Sequence, residues 1–135
     1  MDYNNTDNFN PKNVVIDKSF DFAVEIVKTV KFIQENRVEE LIMNTAATHF
    51  NITRKGLISK SRKQEYVNAR NVVSYVLRAQ YGLPYSRIGN ILGGKNHATV
   101  MHGIKVFKDL YPTDRFYRER CDLVFRHIGY SPVFD

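Results

Sequence analysis

Residues 93–105, GGKNHATVMHGIK, combine a glycine turn with side chains suited to contact a nucleic acid. Asn96 is a good N-cap, and a helix that starts there presents unpaired N–H groups and a positive dipole end to a phosphate. Val100, Ile104 and Phe107 recur at helical spacing and are expected to face a core. An apolar back and a polar, basic front after a tight turn are typical of the second helix of a helix-turn-helix.

Two other kinds of site have weaker support in the same region. Residues 89–96 match the GxxxxGK spacing of a phosphate-binding loop, but Asn96 stands where a Ser or Thr hydroxyl must hold Mg²⁺. His97 and His102 would lie about 140° apart on a helix, so they do not share a face. The sequence therefore predicts no nucleotide site, no metal and no cofactor. No Ser/His/Asp or paired-carboxylate arrangement stands out, so we expect no enzyme.

Positive charge is concentrated in the segment that contains this motif. The whole chain of 135 residues has a net charge of +6, yet residues 54–108 carry eleven Lys or Arg and the single acid Glu65. Basic charge on one half of a small domain indicates a polyanionic partner. Arg62 and Lys63 lie beside a junction from which they could reach a groove or phosphates.

Helical periodicity accounts for the chain after a polar, Asn-rich start, and no strand alternation appears. In the last helix we expect Phe116, Leu123 and Val124 to face inward, and Leu41 to lie on the buried face of the second helix. The predicted elements are 18–36, 37–50, a single turn capped by Thr53, a long helix capped by Ser61 and ending near Gln80, 85–92, the helix after Asn96, and a last helix capped by Thr113 and ending near Ile128.

The length suits one small domain, and a single cysteine excludes an internal disulfide and suits a reducing compartment. There is no long apolar run and no signal-peptide core, so we expect no membrane span and a cytoplasmic location.

Residues of about 38–110 resemble the C-terminal DNA-binding domain, domain IV, of the bacterial chromosomal replication initiator DnaA. The signature of that domain, G-x-R-D-H-[ST]-T-V-x-H-[AG], corresponds to GGKNHATVMHG at residues 93–103. The match extends upstream without gaps through Ile88-Gly89, Ala69-Arg70 and residues 57–60. Together with the helical periodicity on either side of it, the resemblance implies an all-α, Trp-repressor-like helix-turn-helix with extra N- and C-terminal helices. The implied division is a flexible tail (1–12), an accessory helix (13–37), the domain (38–110), and a C-terminal helix and tail packed on it (111–135).

The resemblance also implies roles for individual positions in binding double-stranded DNA. Arg62 matches the basic residue that enters the minor groove. The residues at phosphate- or backbone-contacting positions are Arg70, Asn71, Arg78, Tyr85, Ser86, His97 and Thr99. The residues at the base-reading end of the recognition helix and beside it are Lys95, Asn96, Ala98 and Met101. From the residues alone, Arg70 suits either a phosphate contact or a structural ion pair.

Three positions depart from the family signature. Lys95 replaces an arginine and gives up its planar fork, Asn96 replaces an aspartate, and Ala98 replaces a hydroxyl residue. Aspartate accepts from a cytosine amino group, whereas asparagine pairs with both hydrogen-bonding atoms of adenine. The DNA site is therefore expected to differ from the family's box at one or two bases.

The resulting functional prediction is sequence-specific binding at DnaA-box-like sites, in replication initiation or transcription. The ATP-binding domain that precedes this module in the initiator is missing from the chain, so no ATPase is expected. Two alternatives remain open: a helical RNA-binding protein in which Tyr81 and Tyr85 stack on bases, and a protein-docking module for a replication factor.

Overall fold

The computed structural model describes residues 14–132, with side chains from Ala23 onward except that of Glu35; the predicted tail, 1–12, lies outside them. No strand occurs among these residues, and the predicted all-α class is confirmed. None of the described helices is long and apolar enough to cross a membrane. The helices are α1 (Val14–His49), α2 (Arg54–Leu57), α3 (Gln64–Ala79), α4 (Tyr85–Ile91), α5 (His97–Leu110) and α6 (Arg115–Ile128).

The described chain divides into two compact units, and the boundary between them, at residues 37 and 38, falls inside α1. The prediction of separate helices over 18–36 and 37–50 is wrong, since α1 runs through both stretches. No Gly or Pro occurs between Val14 and His49, so nothing in the local sequence ends the helix earlier. Leu41, predicted to be inward, is exposed, whereas its neighbours Ile42 and Met43 are buried.

The core of the second unit is built around α3. Its residues from Ala69 to Leu77 are buried, and α5 packs along it. The predicted inner face of α5 is confirmed, because Val100, Ile104 and Phe107 are buried. The ring of Phe107 stacks on Tyr75 of α3 with 4.4 Å between centroids.

The inner face of α6 differs from the prediction. Val124 is buried as expected, but Phe116 is 80% exposed and Leu123 is 40% exposed. Tyr117 and Cys121 take their places, and the Tyr117 hydroxyl donates to the Asn68 carbonyl at 3.2 Å. Because that bond satisfies its polar end, a tyrosine is buried here while a phenylalanine is left in solvent.

Two of the predicted helix caps are wrong and two are confirmed. The observed N-cap of α3 is Lys63, two residues after the predicted capping residue Ser61. The Ser61 hydroxyl accepts from the Lys63 N–H at 3.2 Å, so it bonds to the N-cap rather than being the cap itself. The predicted cap Thr113 points its hydroxyl back to the Asp109 carbonyl, and Asp114 caps α6 instead by accepting from the Tyr117 N–H. Thr53 caps α2 and Asn96 caps α5, as expected.

A tight turn joins α4 to α5. The Gly89 carbonyl accepts from the N–H groups of both Gly94 and Lys95 at 2.9 Å, which closes the end of α4. Gly93 and Gly94 have φ angles of +88° and +87°, a region that favours glycine. A Cβ at Gly93 would also overlap the Ile58 carbonyl oxygen, whereas a Cβ at Gly94 would meet open space. The turn is therefore packed against the loop that follows α2.

A second close approach joins α3 to α5. A Cβ at Gly103 of α5 would overlap the side-chain oxygen of Asn71 on α3. Both residues are buried. The missing side chain at Gly103 thus lets the two helices come together next to a buried polar group.

Gly93→Ala and Gly94→Ala separate backbone strain from packing at the turn. Both require the same unfavourable φ, which costs roughly 1–2 kcal/mol. Gly93→Ala also pushes on the Ile58 carbonyl, so we expect it to lose about 1–3 kcal/mol more in the free energy of unfolding. Urea denaturation of the two variants measures the difference. Equal losses would show that the turn does not press on this loop.

Candidate nucleic-acid interface

The first turn of α5 carries an outward-facing set of polar and small side chains. The Asn96 side-chain oxygen accepts from the Thr99 N–H at 2.8 Å, so the cap fixes where the helix begins. The cap uses one lone pair of that oxygen, and the amide nitrogen can still donate to another molecule. The exposed residues of this turn and the next are His97, Ala98, Thr99, Met101 and His102.

The buried side chain of Arg70 fixes the loop between α2 and α3, residues 58–63, by hydrogen bonds to its backbone and to the end of α2. Its guanidinium donates to the carbonyls of Leu57 at 2.7 Å, Ser61 at 2.7 Å and Ser59 at 2.8 Å. A fourth bond reaches the Gly56 carbonyl at 3.1 Å. Burial lowers the pKa of the guanidinium from its ordinary value.

This geometry bears on the role expected for Arg70. Only 8% of the residue is exposed, and its partners are neutral carbonyls rather than a carboxylate. It therefore forms no ion pair with any side chain that the structure describes, and its orientation favours a structural role over a phosphate contact. Asn71 is also buried.

Lys95 reaches the same loop from the other side. Its ammonium donates to the Ser59 carbonyl at 2.8 Å. Burial lowers the pKa of Lys95, and the nearby charges of Arg70 and Lys60 lower it further. A side chain that the resemblance places among the base readers thus bridges the turn before α5 and the loop before α3.

A groove of about 880 Å³ lies between this loop and the start of α5. Polar residues that were not singled out for the site also line it: Lys60, Ser61, Ser74 and His102. His102 follows Ala98 by one helical turn, and that spacing was a signal that could have identified it. The residues predicted for the site that the groove brings together are Arg62, Arg70, Asn71, Lys95, Asn96, Ala98 and Thr99. Those predicted for the site that do not line it are Lys63, Arg78, Tyr85, Ser86, His97 and Met101.

Arg78 and Tyr85 form a separate cluster at the start of α4. The guanidinium lies 4.3 Å from the centroid of the Tyr85 ring, and it donates to the Leu83 carbonyl at 3.0 Å. Ser86 is exposed beside them. A cation over an aromatic face is favourable, and it covers that face against stacking with a base.

Several cations of the basic segment are paired with acids. Arg87 binds Glu39 at 2.6 Å and Arg54 binds Glu40 at 2.5 Å, and none of these four residues lines the groove. Lys105 pairs with Asp109 one turn along α5. The charge count of the sequence therefore overstates how much unpaired positive charge this segment presents.

Replacing Arg70 and its exposed neighbour Arg62 with methionine distinguishes structural from surface arginines. Arg70→Met leaves several carbonyls without their donor, so we expect a loss of about 2–4 kcal/mol in unfolding free energy. Arg62→Met removes an exposed side chain and should change stability by less than about 0.5 kcal/mol. Arg70→Lys keeps the charge without the fork and should lose most of the same stability. Small, equal losses for all three variants would contradict the structural role.

Comparison with known proteins identifies the family. The sequence model described as bacterial dnaA protein helix-turn-helix matches residues 39–106. The chromosomal replication initiator protein DnaA of Bacteroides fragilis is 34% identical over 99 residues, 73% of this chain and 21% of that protein. The DnaA protein of Porphyromonas gingivalis is 36% identical over 96 residues, 69% of this chain and 20% of that protein. The DnaA protein of Thermomicrobium roseum is 31% identical over 94 residues, 68% of this chain and 20% of that protein.

The chain spans about a fifth of the length of these relatives. The matched segment includes α2 to α4, the turn of residues 93–96 and most of α5. The resemblance found in the sequence is thereby confirmed, and the chain belongs to the family of bacterial DnaA helix-turn-helix domains.

Proposed function

We propose that this chain binds double-stranded DNA sequence-specifically, with the first turn of α5 in the major groove. The observation that carries the proposal is the exposed start of α5, anchored by buried Val100, Ile104 and Phe107, beside the basic loop of Lys60 and Arg62. An anchored helix with a polar outer face is the geometry of a recognition helix. Membership of the DnaA helix-turn-helix family supports the same function.

The contacts divide by the kind of group they meet. Asn96, Ala98 and Met101 read base edges, since they lie at or near the free end of α5 and are exposed. Arg62 enters the adjacent minor groove, with Lys63 beside it. The proposed phosphate contacts, which set register without reading sequence, are Arg78, Tyr85, Ser86, His97 and Thr99.

Lys95 and Arg70 act mainly by holding the loop that carries Arg62. Both donate to the Ser59 carbonyl, so they fix the distance between the minor-groove residue and the recognition helix. A readout that uses two grooves depends on that distance. Asn71 supports α5 from α3 through its contact with Gly103.

The sites are proposed to resemble the DnaA box, and the binding to serve replication initiation or its regulation, or transcription. The relatives from Bacteroides fragilis and Porphyromonas gingivalis are named chromosomal replication initiator proteins. The matched module is a helix-turn-helix, so we propose that it contributes site recognition without ATP hydrolysis. An RNA-binding role has less support, since the Arg78 guanidinium covers one face of Tyr85.

Selection of binding sites from random duplexes tests the proposal directly. The wild-type chain should select a sequence that differs from the family's box at one or two bases, because asparagine and alanine present different groups from aspartate and threonine. The triple variant Lys95→Arg, Asn96→Asp, Ala98→Thr restores the family's residues and should select the family's box. If the two proteins select the same sequence, the assignment of Asn96 and Ala98 as base readers is wrong. If neither selects any sequence, specific DNA binding itself is wrong.

Arg62→Ala and Arg78→Ala should weaken DNA binding in different ways. Arg62→Ala should narrow the affinity ratio between the selected site and a random duplex by about tenfold, because a groove contact is lost. Arg78→Ala should weaken both duplexes alike and reduce the slope of log affinity against log salt by about 1, as expected for one phosphate contact. Fluorescence anisotropy across a salt series measures both effects.

Arg115→Ala is the matched control for these two variants. Arg115 is an exposed arginine of α6 that pairs with Glu119 and does not line the groove. It should leave the affinity ratio unchanged. Equal losses on both duplexes for Arg62→Ala and Arg78→Ala would contradict their separate roles.

A further inference from the structure

Two histidines that are far apart in the chain meet at the ends of α1 and α6. Nε2 of His49 lies 3.4 Å from Nδ1 of His127, and the two ring centroids are 5.6 Å apart. His49 is the last residue of α1, and His127 lies in the last turn of α6. The two positions are 78 residues apart, so their spacing in the sequence gives no sign of the pair. Both belong to the second unit.

The separation of the two nitrogens suits a pair of ligands on one metal ion. It is longer than the roughly 2.7–3.2 Å of a good hydrogen bond from a ring N–H. Two Zn–N bonds of about 2.0–2.1 Å at a tetrahedral angle place their nitrogens about 3.3–3.4 Å apart. Because the two nitrogens already lie at that distance, an ion can replace the single proton they share with little movement of either ring.

The surroundings of the pair favour coordination rather than simple charge attraction. Burial lowers the pKa of His49 and the charge of His127 lowers it further, which favours the neutral ring that a metal ligand requires. The carbonyl ends of the two helices also favour a cation here. Two arginines oppose it: the Arg120 guanidinium donates to the His49 carbonyl at 2.8 Å, and Arg126 precedes His127 in the chain. An ion must therefore gain its affinity from the imidazole nitrogens.

We propose that His49 and His127 together bind one divalent transition-metal ion, of which Zn²⁺ is the reference. Imidazole nitrogen suits Zn²⁺, Ni²⁺ and Cu²⁺, whereas Mg²⁺ and Ca²⁺ take oxygen ligands. No third His, Cys, Asp or Glu joins the pair within the part of the chain that the structure describes, so water completes the coordination.

A bound ion ties the end of α1 to the end of α6. Helix α6 follows the segment that matches the family model, residues 39–106, so the site uses a helix outside that segment. Neither histidine lines the groove beside α5, and the proposal is therefore independent of the proposed DNA binding. Because the two ligands come together only in the folded chain, the ion stabilises the folded state.

Thermal unfolding of the full chain with added Zn²⁺ tests the site, and titration calorimetry measures the affinity. We expect the Tm of the wild-type chain to rise with the Zn²⁺ concentration. His127→Ala removes one ligand, so it should weaken Zn²⁺ binding at least about tenfold and remove most of the rise in Tm. A wild-type chain whose Tm does not rise with Zn²⁺ would overturn the proposal.

His102→Ala is the matched control for His127→Ala. His102 is also an exposed histidine, but it lies on α5 and is not part of the pair. The same change there should leave the Zn²⁺ affinity within about twofold of the wild-type value. Circular dichroism checks that both variants keep their helix content. Equal weakening by both variants would show that Zn²⁺ binds exposed histidines without preference, and the pair would not be a site.

Other divalent ions distinguish coordination from charge. Ni²⁺ should raise the Tm of the wild-type chain, and His127→Ala should remove that rise as well, because imidazole nitrogen also suits Ni²⁺. Mg²⁺ at the same concentrations should leave the Tm unchanged, since it requires oxygen ligands. If Mg²⁺ raises the Tm as much as Zn²⁺ does, the ions act through charge alone, and coordination by the two histidines is wrong.

Discussion

The close approach of α3 and α5 is the constraint on which the proposed interface depends. Gly103 leaves room for Asn71, and Phe107 stacks on Tyr75. Helix α5 can therefore lie along α3 with the apolar face of α5 buried. Because Val100 and Ile104 are then committed to the core, the opposite face of α5 is turned outward. The orientation of the recognition helix therefore follows from packing, and the cap at Asn96 sets only where that helix begins.

Two consecutive residues of α3 connect the two parts of the interface. Asn71 meets α5, while Arg70 holds the loop of residues 58–63 through backbone carbonyls. The buried positive charge is tolerated because several carbonyl dipoles surround it, and the bonds give the loop one shape. Lys95, in the turn before α5, donates a further hydrogen bond to the same loop, at the Ser59 carbonyl. Helix α3 therefore contacts both the loop that carries Arg62 and the recognition helix α5.

Local signals predicted the parts of the fold that short stretches of sequence control. Three such signals are confirmed by the structure: the Asn96 cap, the glycine turn after Leu92 and the buried spacing of Val100, Ile104 and Phe107. Each depends on residues within one or two helical turns. The inner face of α6 could not be predicted in the same way. Its sequence offers two apolar stripes, and the acceptor that allows Tyr117 to be buried belongs to α3. A choice that depends on a distant carbonyl leaves no local signal.

The sequence by itself determined the helical class, the turn before α5, the polar face of that helix and the family to which they belong, because periodicity, capping and glycine placement are local. Only the tertiary structure decided which cations line the groove. Arg54 and Arg87 are paired with acids of α1, and Arg70 is enclosed by backbone carbonyls, whereas Arg62 is exposed beside the groove. The physical reason is that burial and partners set the role of a charge, and both come from residues distant in the chain.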